Sequence, residues 1–313
     1  MKISIAMCTY NGEKYLQEQL DSILKQTRSA DEVIICDDGS TDATKDFIDN
    51  YIVSHSLSEN WILYVNSKNL GYADNFHKAL SLTTGDYIFF ADQDDVWKLE
   101  KIEEMISVME THKQITLLCS DFEPLVSTMD APKVKKKTLK SMKNDKTLSK
   151  IDLSYNNIYI GSLGCLMCAR RSFIDDIEQY WYSGWAHDEF VWKLAQCYDG
   201  CYVYHSKLIL RRLHSSNVSM RKMHTYEKRI HYLRELIKSH EAMKLCAINK
   251  NLDGKRIKII NRNICAARLR FDMFEKLKLS NVFKLLIYID CYHRRRSILM
   301  EAFIILKKIS VKH

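Results

Sequence analysis

The chain has 313 residues, with 47 Lys plus Arg against 39 Asp plus Glu, a formal net charge of +8. Apolar residues at 46% and charged residues at 27% exclude wholesale disorder, and nine glycines with two prolines exclude collagen-like and long-linker chains. The length allows one large domain or one domain with an appendage.

In chain order, the first hundred residues alternate between two periodicities. Ile3 to Cys8 is a short apolar strand, and Glu13 to Gln26 a helix with Tyr15, Leu16, Leu20, Ile23 and Leu24 on one face. Glu32 to Cys36 is a second strand, ending in Asp37-Asp38-Gly39-Ser40-Thr41-Asp42, a turn rich in helix-capping residues. Trp61 to Val65 is a third strand and Asp74 to Leu82 a short helix. Tyr87 to Ala91 is a fourth strand, with a helix expected from near Trp97. Strands that alternate with helices and read as continuous apolar runs indicate a parallel sheet buried on both faces. Residues 133–150 carry eight lysines and one acid, and are expected to be a solvated loop. Ile158 to Ala169 reads as a strand, Phe173–Tyr180 and Asp188–Cys197 as helices, and Val203–Arg211 as a strand. Beyond about His224 the pattern is helical and basic.

The first residues form too short an apolar run for a signal peptide, so a cytosolic start is expected. In that compartment ten cysteines read as buried thiols and not as bridges. Cys165-x-x-Cys168 and Cys197-x-x-x-Cys201 have spacings that zinc can use. The first pair, however, lies in a strand-like run that would point its side chains to opposite faces.

In open parallel sheets, ligands bind at the carboxyl ends of the strands, and the polar clusters fall there: Thr9-Tyr10-Asn11-Gly12, Asp37-Asp38-Gly39-Ser40 and Asp92-Gln93-Asp94-Asp95. No G-x-G-x-x-G or G-x-x-x-x-G-K-[ST] appears, so the dinucleotide and P-loop fingerprints are missing. Three carboxylates at the end of a buried strand are costly without a counter-charge. Hard oxygen donors select Mg2+ or Mn2+, which takes its remaining ligands from phosphate and water. The bland alternative is a polar turn with a capping Asp.

Together these runs, with Asn69-Leu70-Gly71 and Asp92-Gln93-Asp94-Asp95-Val96-Trp97, resemble family 2 glycosyltransferases of the GT-A fold. The resemblance covers about residues 1–115 and resumes at His187-Asp188 and Arg212-Leu213-His214-Ser215-Ser216-Asn217. Within the family the pattern is most similar to bacterial polysaccharide enzymes of the rhamnosyltransferase kind. It implies an α/β fold: a mostly parallel sheet flanked by helices over residues 1–220, with a basic helical extension over 221–313. Residues 1–115 would be the nucleotide-sugar half and 150–220 the acceptor and catalytic half. Tyr10 would lie against the base, with Thr9 and Asn11 beside it, and Asp37 or Asp38 would accept from base or ribose. Asn69 and Gly71 would shape the adjoining turn. Asp92 and Asp94 would be the DXD pair, with Gln93 between them at the donor, Asp94 the first metal ligand and Asp95 its support. His214 would be a further ligand and Arg212 would hold the leaving diphosphate. Asp188 would be the catalytic base, with His187 where the family has a Glu; capping of the following helix is the local alternative.

The resemblance implies an inverting, metal-dependent transfer from a nucleoside-diphosphate sugar to a saccharide or lipid-linked saccharide. Two other readings are open to this sequence. A nucleotidyltransferase would want a basic, Gly-rich loop after strand one, where Thr9-Tyr10-Asn11-Gly12-Glu13 stands. A nucleic-acid-binding protein would use the basic tail, but the strand-end clusters argue against it. The +8 is in fact a difference between unlike parts, net −7 over residues 1–220 and net +15 over 221–313. From Asn281 to Leu306 the chain is rich in apolar residues, interrupted by Lys284, Asp290 and Arg294-Arg295-Arg296, and no run reaches the length of a spanning helix. That segment suits either an anionic membrane surface, with the enzyme peripheral on the inner face, or packing against the catalytic domain or a second subunit in a homo-oligomer.

Overall fold

Four of the apolar runs become the parallel half of one sheet in the computed structural model: β1 (Ile3–Thr9), β2 (Glu32–Asp37), β3 (Trp61–Val65) and β4 (Tyr87–Ala91). Every residue of β2 and β4 is buried, which is why those runs carry no polar alternation. The remaining strands are β5 (Val96–Trp97), β6 (Leu117–Val126), β7 (Leu148–Lys150), β8 (Met167–Arg170) and β9 (Cys201–Leu213). Among the described residues the sheet has nine strands in the order β3-β2-β1-β4-β8-β6-β9-β5, with β7 paired to β9. The structure describes residues 1–129, 131, 133–134, 136–214 and 225–310. Ser215, Ser216 and Asn217 of the last motif lie outside the described residues.

The chain divides into two compact units. The first, Met1–Ile151, Ser162–Ala195 and Asp199–Asn217, holds the sheet. Its helices are α1 (Glu13–Leu24), α2 (Thr44–Ser54), α3 (Tyr72–Leu82), α4 (Lys101–Thr111), α5 (Lys136–Ser141), α6 (Arg171–Ile177) and α7 (His187–Ala195). Ile5, Met7, Leu16, Leu20, Val33, Ile35, Phe89 and Ile106 belong to one buried cluster of sheet and helix side chains. The second unit, Asp152–Gly161, Gln196–Tyr198 and Val218–His313, holds the C-terminal helices. It contains α8 (Tyr226–Asn249), α9 (Gly254–Glu275), α10 (Asn281–Leu285) and α11 (Ser297–Ser310). Side chains of Thr225 and Asp253 cap α8 and α9 by accepting from Lys228 N and Arg256 N. In its interior Arg270 meets Glu301 at 2.6 Å, and Tyr292 donates to the same carboxylate at 3.2 Å.

Three local expectations change. The helix expected from near Trp97 begins at Lys101, because Val96 and Trp97 pair antiparallel with Leu210 and Ile209 of β9. Of the Ile158–Ala169 run only the last three residues are strand, the start of β8 (Met167–Arg170). Gly164–Leu166 is a 3₁₀ turn, so Cys165 and Cys168 are not on one strand. The lysine-rich stretch holds α5 and then β7, whose Lys150 pairs Asp199 at 3.1 Å. All ten cysteines are free thiols, eight of them buried.

Candidate active site

The carboxyl ends of β1, β2 and β4 converge, and the polar residues that follow them divide into an inner frame and an outer rim. Thr9 Oγ1 donates to Asp37 at 2.8 Å, and Ser40 N and Oγ reach the same carboxylate at 2.8 and 2.5 Å. Asp37 is fully buried, and its bonds fold the turn after β2 back onto β1. Asp38, also buried, accepts from Leu70 N at 2.7 Å, Asn66 Nδ2 at 2.9 Å and Gly71 N at 2.9 Å. The two neighbouring carboxylates thus hold different loops. Asn69 Nδ2 donates to the Asp38 carbonyl at 3.2 Å. Gly71 precedes α3 at φ 86° and ψ 154°, a region essentially closed to side-chain-bearing residues.

On the rim, Tyr10 is 47% exposed and Asn11 is exposed. Asn11 N donates to Ser40 Oγ at 2.9 Å, and its side-chain carbonyl accepts from Thr41 N at 2.9 Å. Gln93 clasps the Tyr10 backbone in both directions, accepting from its N–H at 2.7 Å and donating to its carbonyl at 3.1 Å. Gly12 makes this approach possible, since a Cβ there would come within 2.2 Å of Gln93 Oε1. The Gln93 amide is therefore spent on holding Tyr10.

The acidic cluster is assembled by β9. The pairing of β5 with β9 brings Asp94 and Asp95 against residues 212–214. Arg212 N donates to Asp95 Oδ1 at 2.9 Å, and His214 Nε2 lies 2.6 Å from Asp94 Oδ2. Arg212 itself turns inward. Its guanidinium reaches the Asp94 carbonyl at 2.8 Å, Ser127 Oγ at 2.9 Å and Glu18 Oε2 at 2.9 Å, and packs over the Tyr15 ring. Arg212 thus braces the acidic loop, because β9 delivers it buried beneath that loop.

Asp92, Asp95 and Cys165 each offer one atom, all within 4.8 Å of one another. Burial raises the Asp92 carboxyl well above its ordinary value, and repulsion from Asp95, Asp94 and Asp188 adds to the shift. Asp95 is raised by burial and by Asp94. Burial and the two carboxylates push the Cys165 thiol up, so it remains a hydrogen-bond donor to Asp95 and not a thiolate. The atoms brought together are thus two carboxylates with a protonated thiol, with Asp94 facing the His214 imidazole beside them, and the ionised form of the carboxylates is destabilised as it stands. Both features fit a hard divalent cation.

Asp188 sits in the first turn of α7, half-buried, and its Oδ1 accepts from Glu189 N at 2.7 Å. Burial raises its pKa to about 6, with Glu189 adding to the shift. His187 is buried between Phe76, with ring centroids 3.7 Å apart, and Phe90. Neither of its ring nitrogens has a hydrogen-bond partner among the described residues, and burial lowers its pKa to about 3. It is a neutral packing ring. Trp185 is buried against Phe190 and Tyr182, whereas Trp181 stacks on His77 at 3.6 Å.

Two participants escape the motif reading. Lys101 is fully buried, donates from Nζ to the Cys165 carbonyl at 2.8 Å and lies 3.6 Å over the Trp97 ring. Burial lowers its pKa to about 7, while Asp95 and Asp92 act in the opposite sense. The available signal was its place on the apolar stripe of α4 with Met105 and Met109. Gln19 is likewise a polar residue on the buried face of α1, and it donates to the Asp92 carbonyl at 2.9 Å.

The family model described as "Glycosyl transferase family 2" matches residues 4–176. The dTDP-rhamnosyl transferase RfbG of Shigella flexneri is 39% identical over 106 residues, 33% of this chain and 36% of that protein. The Escherichia coli UDP-Glc:alpha-D-GlcNAc-diphosphoundecaprenol beta-1,3-glucosyltransferase WfaP is 37% identical over 112 residues, 36% and 42% of the two chains. The match thus spans well under half the length of either relative. Among solved structures, residues 1–349 of S. aureus TarS in complex with UDP superpose with a TM-score of 0.63 at 17% identity, covering 100% of this chain and 92% of that one. That likeness bears out the expected fold.

Proposed function

The chain belongs to glycosyl transferase family 2, and from that membership we propose that it moves a sugar from a nucleoside-diphosphate donor to a hydroxyl of a saccharide or lipid-linked saccharide during synthesis of bacterial surface polysaccharide. The observation that carries this reading is the placement of Asp188, with a pKa near 6, in the same electrostatic neighbourhood as Asp92 and Asp94. One group there can take a proton near neutral pH, beside a set of carboxylates suited to hold a metal–diphosphate.

Tyr10 offers its exposed ring to the base, with Asn11 and Asn69 on the same rim. Thr9, Asp37, Asp38 and Gly71 act by holding the loops that shape this rim. Asp92 and Asp94 would hold Mn2+ or Mg2+, with His214 beside Asp94. That ion, when bound, supplies positive charge against the diphosphate leaving group. Asp188 takes the proton from the acceptor hydroxyl as its oxygen attacks the anomeric carbon, and the nucleoside diphosphate leaves from the opposite face. A single displacement of this kind inverts the anomeric configuration. An acceptor on a lipid carrier would place the enzyme at the inner face of the cell membrane. The test is a screen of nucleotide sugars with product analysis. Release of nucleoside diphosphate supports the reading, and release of pyrophosphate would move it to nucleotidyl transfer.

A further inference from the structure

The helical unit buries one set of apolar residues and leaves another in solvent. On α11 the inward face is Ile298, Glu301, Ile304 and Ile305. Leu299, Phe303 and Leu306, at i, i+4 and i+7, lie on the opposite side and are 69%, 66% and 52% exposed. The neighbouring segment repeats the pattern. Asn281 and Leu285 of α10 are buried, whereas Phe283 is 76% exposed, and Ile287 in the following 3₁₀ stretch is 69% exposed. Single exposed apolar residues are ordinary, but a second apolar stripe along a helix that already has a buried one calls for an occupant.

Charge says which occupant. Residues 276–310 contain eight Lys or Arg and two acids, Asp290 and Glu301. Both acids are neutralised inside the unit. Asp290 pairs with Arg262 at 3.1 Å, and Glu301 is buried against Arg270 at 2.6 Å. Arg294, Arg295 and Arg296 are all exposed, immediately before α11, and Lys284 and Lys307 are exposed beside the apolar side chains. The surface around these apolar side chains is therefore cationic: Glu301 is buried, Asp290 is paired with Arg262, and the exposed Glu227 is paired with Lys308 at 2.9 Å, which leaves Arg294, Arg295 and Arg296 to set its charge. No helix among the described residues is long and apolar enough to cross a membrane. Apolar side chains framed by arginines are the composition of a segment that lies in the interfacial plane of an anionic bilayer.

We propose that Phe283, Ile287, Leu299, Phe303 and Leu306, framed by Arg294, Arg295 and Arg296, form a docking surface for an anionic phospholipid bilayer. The apolar side chains enter the headgroup–acyl boundary and the guanidinium groups meet lipid phosphates. This deepens the reading of a lipid-linked acceptor, since docking concentrates the enzyme on the surface that holds such an acceptor.

The test is flotation of the full chain with vesicles of phosphatidylcholine alone and with vesicles that also contain phosphatidylglycerol. Floating with the second kind only, and release by salt, is the expected result. Each of Arg294→Ser, Arg295→Ser and Arg296→Ser should weaken partitioning about fivefold. Leu299→Ser with Phe303→Ser should release the protein from vesicles. These positions are exposed, so circular dichroism should be unchanged. A Phe303→Trp chain should show fluorescence quenching by brominated lipid. Variants that float like the parent would overturn the proposal. So would a concentration-dependent dimer that Phe303→Ser abolishes in a chain that never floats, because the surface would then belong to a second copy. Donor hydrolysis measured without vesicles keeps the two readings apart. Flotation without nucleoside diphosphate release leaves the docking surface standing and removes the proposed activity.

Discussion

Replacing Asp188 by Asn tests the centre of the proposed mechanism, because it removes a proton acceptor and little else. The Asn side-chain oxygen can still accept from Glu189 N, as Asp188 does at 2.7 Å, so the first turn of α7 keeps its bond. Burial favours the neutral side chain, so stability should hold or rise. The magnitude follows from the pKa of about 6. About nine in ten Asp188 side chains are ionised at pH 7 and about one in ten at pH 5, so the parent enzyme should lose about tenfold in rate between those values. The sign is fixed: the base acts only when deprotonated, and activity falls as pH falls through the folded-state pKa. In Asp188→Asn turnover should drop by about 10²–10⁴, and the residual rate should no longer show that acid limb. The assay is nucleoside diphosphate release and glycosylated product against pH, with donor binding followed separately by calorimetry. Turnover within a few-fold of the parent, or an acid limb that survives the substitution, would refute the role of Asp188.

Other expectations follow from the same geometry. Burial and mutual repulsion raise Asp92 and Asp95, so the native state binds more protons than the unfolded chain above the ordinary carboxylate range, and metal-free stability should fall as pH rises there. Mn2+ should reverse this by raising the melting temperature, and Asp92→Asn should lose most of that metal-induced shift in a thermal melt. Lys101 has the opposite linkage. Its folded pKa of about 7 lies below its unfolded value, so it makes stability rise with pH between about 7 and 10, a slope that Lys101→Met should flatten in urea melts. Gly71→Ala should cost about 1–3 kcal/mol by urea denaturation. A Cβ there meets nothing within 4 Å, so the cost is backbone strain alone. An unchanged midpoint would show that the loop relaxes.

The parallel half of the sheet and the polar clusters at its carboxyl end are legible in the sequence alone. The fourth strand, Tyr87–Ala91, coincides with the expected run because a strand buried on both faces must be apolar throughout, and the third, Trp61–Val65, coincides as well, although as an edge strand it leaves Ile62 and Val65 exposed. Polar residues that interrupt such runs lie at strand ends, as Thr9, Asp37 and Asp92 do. Tertiary structure decided how those residues are used. Val96 and Trp97 form a two-residue strand too short for any periodicity, yet their pairing with β9 sets Asp95 against Arg212 and Asp94 against His214, nearly 120 residues away. The division of work between Asp37 and Asp38, the inward turn of Arg212 and the seat of Lys101 beneath the acidic cluster arise in the same way. Sequence determines which residues must be buried or capped, because those demands are local. Which partner satisfies a buried charge depends on what the fold carries to it across the sheet.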